Sequence, residues 1–154
     1  ILDTLHERPE AEAALESLSQ AWGRILSDET LDAAVKAEAL SLPTIDTLQG
    51  ELQRVDFQAL SGACSDVATA LSKQHADALK LLLDQKRQDD LPLLDARAMG
   101  QRKLKNTALA LLSYLPEEHW VARAETQYET AGNMSDRMAA MAALWQPCSP
   151  SVRA

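Results

Sequence analysis

The 154 residues amount to one domain's worth of chain, enough to bury a core, and 46% hydrophobic against 25% charged residues excludes a disordered tail. Twenty-six alanines and 25 leucines stand against five valines and three isoleucines, and five glycines with six prolines leave little for hairpin turns, so the composition predicts an all-α fold. Fifteen lysines and arginines against 23 aspartates and glutamates give a net charge of -8, which repels phosphate backbones and anionic lipid: no nucleic acid and no membrane are expected as partners.

In chain order, residues 1–8 are read as a short preceding helix. Ala11, Leu15, Leu18, Trp22 and Ile25 then recur at steps of four and three and predict a helix over about 10–26. Pro9 suits its first turn, and Glu10 and Glu12 suit the positive end of its dipole. Ser27 is expected to cap a second helix with Leu31, Val35 and Ala39 on one side, ended by Pro43. Thr44 opens a short helix carrying Ile45, Leu48 and Leu52, and Asp56 caps the next. There Phe57, Leu60, Cys64, Val67 and Leu71 keep a three-four spacing, and Leu79, Leu82 and Leu83 continue in register to about Lys86. Gln88, Asp89, Asp90 and Pro92 break the run and mark the longest expected loop.

A helix from about Asp95 to Leu115 directs Leu104, Ala108, Leu111, Leu112 and Leu115 inward and carries Arg97, Arg102, Lys103 and Lys105 along its N-terminal half. Pro116 starts another, with Val121, Ala124, Tyr128 and Ala131 in register and Gly132-Asn133 as a left-handed stop. The last helix lines one face with Met134, Met138, Met141 and Trp145 before Pro147. Seven or eight helices with short links favour antiparallel neighbours, in a bundle or in stacked HEAT-like pairs, and no repeat of fixed period supports a regular TPR or ankyrin array.

Chemistry is sparse. A zinc hydrolase needs two histidines one helical turn apart with a glutamate beside them, whereas His6, His75 and His119 are isolated and read as solvated surface residues. Cys64 lies on an apolar stripe and reads as packing; Cys64 and Cys148 are not expected to be bridged. Asp89-Asp90 and Glu117-Glu118 sit in a loop and at a helix start, which explains them without catalysis. The basic cluster has no interleaved aromatic residues and reads as a solvated or salt-bridged face rather than an anion site. The methionine stripe reads as core rather than as an adaptable groove. No residue is therefore assigned a catalytic, cofactor-binding or metal-binding role.

Four stretches carry a resemblance. Ala21-Trp22-Gly23-Arg24-Ile25-Leu26, Ala37-Glu38-Ala39-Leu40-Ser41-Leu42-Pro43, Arg102-Lys103-Leu104-Lys105-Asn106 and Ala131-Gly132-Asn133-Met134-Ser135-Asp136 stand in order and nearly at the spacing of the C-terminal helical region of bacterial aminopeptidase N. From about residue 20 to 148 the chain resembles this alanyl aminopeptidase branch of the zinc metallopeptidases. The resemblance implies an α-superhelix of HEAT-like pairs that closes over a catalytic domain and shapes an enclosed chamber. For the parent it implies zinc held by two histidines and a glutamate, with a second glutamate as general base. None of those residues stands in this sequence, so none is carried over.

The expected function is thus a non-catalytic helical domain of a cytoplasmic zinc aminopeptidase, supporting the catalytic domain of the same polypeptide and limiting access of peptide substrates. The alternative is a free-standing α-helical interaction scaffold. Two cysteines without a disulfide pattern, no basic and apolar leader and no stretch near the ~20 residues that span a bilayer give cytoplasm as the compartment. Residues 1–154 are read as a single all-α segment, cut from a longer protein because the chain lacks an initial methionine and a natural-looking end, and the resemblance implies that it is the first half of the family's helical domain. An internal cut would leave part of the last helix's stripe exposed and open to self-association through that end, with Trp145 more exposed than Trp22.

Overall fold

The computed structural model describes residues 9–50, 56–85 and 92–145. Among them lie eight helices: α1 (Pro9–Ser27), α2 (Ala33–Ala39), α3 (Ile45–Gln49), α4 (Phe57–Gln74), α5 (Ala76–Asp84), α6 (Ala96–Leu112), α7 (Glu118–Thr130) and α8 (Met134–Leu144). The chain is all-α, with no strand among the described residues. The expectations for residues 1–8, Leu52, the 86–91 part of the loop, Pro147 and Cys148 fall outside them.

Helix starts follow side-chain chemistry. Asp56 accepts from the amides of Gln58 and Ala59 at 3.0 Å each, Asp95 from Arg97 at 2.9 Å and Ala98 at 3.2 Å, and Thr44 from Thr47 at 3.3 Å. Each bond satisfies an amide that the first helical turn leaves without a carbonyl. Ser27 caps nothing: its hydroxyl donates back to the Arg24 carbonyl inside α1. Asp28 instead ties down a turn by accepting from the amide and hydroxyl of Thr30, and α2 starts six residues later than Ser27, with Asp32 as its cap. In α2 and at its C-terminal cap it is Lys36, Ala37 and Leu40 that face inward, while Val35 and Ala39 are exposed.

Two further expectations change. The long run from 57 is two helices, broken at His75, whose backbone (φ -111°, ψ 18°) leaves α geometry although no glycine or proline is present. At the end of α7, no described glycine has positive φ, so Gly132 is not a left-handed stop; Ala131 leaves the helix extended and Asn133 caps α8. Phe57 and Tyr128, expected on inward stripes, are exposed, and Trp120 with Ala124 forms the inner side of α7.

The core centres on α6, which packs against α2, α4, α5, α7 and α8. Its Leu104, Ala108, Leu109, Leu111 and Leu112, with Leu115 just beyond, meet Trp22, Ala37, Leu40, Leu71, Leu79, Leu82 and Leu83. Gly100 admits α2: a Cβ there would lie 3.0 Å from the Ala34 amide nitrogen. Successive pairs α5–α6 and α7–α8 stack through α6 on α8, the HEAT-like arrangement of paired helices.

Candidate functional site

Three groups of side chains stand out: a buried polar clasp, a histidine contact and an exposed apolar face. The clasp follows from one lysine in the wrong place for a surface residue. Lys105 lies on the buried side of α6, between Ala98 and Leu112 in register, and its ammonium meets Asp136 of α8 at 3.1 Å. Both side chains are buried, with 8% and 5% exposure. A buried ion pair is tolerated only when its remaining valences are filled. Here they are: Asp136 accepts from Asn106 at 2.9 Å and from Asn133 at 3.1 Å, while its own amide donates to Asn133 at 2.9 Å. Gln127 of α7 completes the network, donating to the Asn106 side chain at 3.0 Å and to the Asp136 carbonyl at 2.9 Å. Burial by itself would raise the Asp136 carboxyl, but the bonds from Asn106, Lys105 and Asn133 outweigh it and hold the group down at about 2.

With its acid held ionised and both charged members buried against each other, the clasp joins helices rather than presenting a reacting group. What it does is fix the angle between the α7–α8 pair and α6. The rest of the basic cluster is exposed or half-buried, and two of its members are bonded. Lys103 pairs with Glu38 of α2, whose carboxyl is lowered by that bond first and by the lysine's charge second, and Arg102 donates to the Leu93 carbonyl at 2.6 Å. The reading of this cluster as a solvated or salt-bridged face therefore describes Lys103, whereas Lys105 is salt-bridged in the interior.

His75 is likewise not a solvated histidine. Its Nε2 lies 2.9 Å from the hydroxyl of buried Ser19, and its ring centroid lies 6.2 Å from that of Trp22, tying the α4–α5 break to α1. His119 is exposed, 3.4 Å from Glu117. His6 lies outside the described residues. Cys64 is half-buried and unbridged to any described residue. Among the described residues no group of three or more His, Cys, Asp or Glu could hold a metal ion, and no helix is long and apolar enough to cross a membrane.

The apolar face is the outer side of α8. Met134, Met138, Met141 and Trp145 are all exposed, Trp145 at 80% against 2% for Trp22. The methionines are thus not core; Asp136, Ala140 and Ala143 on the opposite side are.

A family model described as a domain of unknown function (DUF3458_C) with ARM repeats matches residues 1–153. The chain is similar to aminopeptidase N of Caulobacter vibrioides, 30% identical over 125 residues, which are 81% of this chain and 14% of that protein. It is similar to aminopeptidase N of Escherichia coli, 25% identical over 126 residues, 82% of this chain and 14% of the relative. A crystal structure of Legionella pneumophila aminopeptidase A in complex with aspartic acid shares the fold, with TM-score 0.64 and 23% identity over 87% of this chain and 16% of the other. The chain therefore spans 14% of the length of these curated relatives. The resemblance read from about residue 20 to 148 points to the same aminopeptidases N as these two relatives.

Proposed function

Because this chain belongs to the DUF3458_C family of ARM-repeat domains, we propose that it is the non-catalytic C-terminal helical region of a cytoplasmic zinc aminopeptidase. The observation that carries the reading is proportion: both aminopeptidases N match over four-fifths of this chain but over 14% of their own length. One domain of a larger enzyme fits those shares, whereas a free-standing interaction scaffold gives no reason for them.

On this reading the chemistry belongs to the catalytic domain of the same polypeptide, which is this chain's partner. The parent removes N-terminal amino acids from peptides. The described residues do not fit zinc, so the metal is assigned to the catalytic domain. The contribution of this chain is shape. Stacked pairs pinned by the Lys105–Asp136 clasp make a stiff wall that supports the catalytic domain and narrows the path of peptides to it. The outer face of α8 is the seat of the next helical layer of that polypeptide.

The test expresses the whole polypeptide containing this chain and, beside it, the 154 residues alone. The whole polypeptide is expected to release the N-terminal residue of an aminoacyl reporter and to carry zinc near one equivalent; the isolated chain is expected to do neither. A whole polypeptide without turnover overturns the reading. Turnover with bound zinc in the isolated chain overturns the placement of the chemistry.

A further inference from the structure

A pocket of about 450 Å³ lies where the end of α1, the turn after it, α2, α5 and α6 converge. Leu31, Leu82 and Leu104 give it apolar walls, and Leu81 stands exposed at its mouth. Lys36 lines it and is 7% exposed. Among the described residues its ammonium donates only to the Leu26 carbonyl, at 3.3 Å. An ammonium has three protons to place, and a carbonyl at a helix C-terminus supplies only a partial negative charge.

The contrast with the other buried lysine is instructive. Lys105 has a carboxylate at 3.1 Å, whereas no described carboxylate lies within ion-pair distance of Lys36. The Asp28 carboxyl is lowered first by its bonds from Thr30, at 2.6 and 2.8 Å, and last by the Lys36 charge, and it makes no ion pair with the lysine; Glu29, also at the pocket, is exposed to solvent. A buried cation with no anion in direct contact is a costly arrangement. A second unmet group borders the same space and the neighbouring cavity beside α7: the side-chain oxygen of Gln101 is buried and has no donor among the described residues. A ligand N–H toward which that amide can turn removes the cost.

We propose that this pocket binds the C-terminal residue of a peptide carrying an apolar side chain. Its carboxylate meets Lys36, its amide N–H meets Gln101, and its side chain packs among the leucines. The volume suits one or two residues. This inference stands on the pocket alone and does not rest on the peptidase reading.

The test titrates the isotope-labelled 154-residue chain with N-acetyl-leucine, N-acetyl-leucinamide and free leucine, followed by NMR. N-acetyl-leucine is expected to shift the resonances of Leu82, Leu104 and Gln101 and to bind about tenfold more tightly than the amide, because a charge-assisted bond is lost with the carboxylate. Lys36→Met keeps the aliphatic stem and is expected to abolish that preference. Equal binding of acid and amide, an absence of binding, shifts confined to other residues, or an intact preference in Lys36→Met overturns the proposal. Free leucine binding as tightly as its N-acetyl form overturns the peptide source in favour of a free amino acid. If Lys36→Met does not fold, the comparison of acid with amide on the unaltered chain decides alone.

Discussion

At Asp136 one residue joins three helices: its carboxylate meets Lys105 and Asn106 from α6 and Asn133 at the start of α8, and its backbone carbonyl accepts from Gln127 of α7. Asp136→Ala removes the carboxylate bonded to the buried Lys105 ammonium, a loss expected to cost about 3–5 kcal/mol in urea unfolding. Adding Lys105→Met removes the buried charge as well, so the double variant should be more stable than Asp136→Ala alone; additive losses would show that the pair is not coupled. The same carboxyl sets an acid limit. Its folded pKa of about 2 lies below the ordinary 3.8, so its contribution is present above about pH 4 and is lost as pH falls through about 2. That contribution is on the order of 2 kcal/mol, and Asp136→Asn should flatten the acid side of the stability profile by this amount. The sequence showed each member of the clasp but not their meeting. Lys105 was grouped with its charged neighbours, although its place in the inward register of α6 was the available signal that a buried cation needs a partner. Asn133 three residues before Asp136 was a second signal, since that spacing belongs to a helix start.

Helix boundaries were legible wherever a local side chain decided them and illegible where packing did. Thr44, Asp56 and Asp95 cap the helices that their positions announce, because an oxygen two or three residues before free amides needs nothing else. Ser27 and Asp32 compete for one helix start, and propensity alone does not rank them; Asp28 decides the matter by closing a turn on Thr30. The break at His75 has no local cause in the sequence. It is held by the ring's contacts to Ser19 and Trp22 on another helix. Gly100 is the corresponding case for packing, where a missing side chain lets α2 approach α6. Gly100→Ala gains about 1 kcal/mol of helix propensity but presses a methyl group within 3.0 Å of the Ala34 backbone. Backbone in the first turn of a capped helix yields little, and overpacking costs about 1–3 kcal/mol, so a net loss of about 1 kcal/mol is expected. Gly100→Val should lose more than Gly100→Ala in thermal unfolding; a gain in both would mean that α2 is free to move aside.

For the molecule as a whole, α8 decides what kind of object this is. Its inner side is built of Ala140 and Ala143, small enough for close approach to α6 and α7, while Met134, Met138, Met141 and Trp145 project from the opposite side. That is why a sequence reading gives the methionines to the core: both sides are apolar, and size alone points to the wrong one. A helix apolar on two sides belongs in the middle of a stack, which agrees with ARM repeats and with a chain that spans 14% of its relatives. Exposed, the four side chains present on the order of 400 Å² of apolar surface, the size at which a patch marks an interaction site. Covering it is worth roughly 10 kcal/mol gross at about 25 cal/mol per Å², against an association cost of similar size. The isolated chain is therefore expected to dimerise weakly through α8 rather than to aggregate without limit, since one face pairs with its own copy and closes. Sedimentation of the 154-residue chain should show an average mass rising with concentration, with Trp145 emission moving to shorter wavelength over the same range. Met138→Glu puts a charge in the centre of the face and should raise the dimer dissociation constant tenfold or more while leaving the monomer folded, because the position is already solvated there. A mass that stays monomeric at every concentration, with Trp145 emission unchanged, would show that this face is not covered by a second copy.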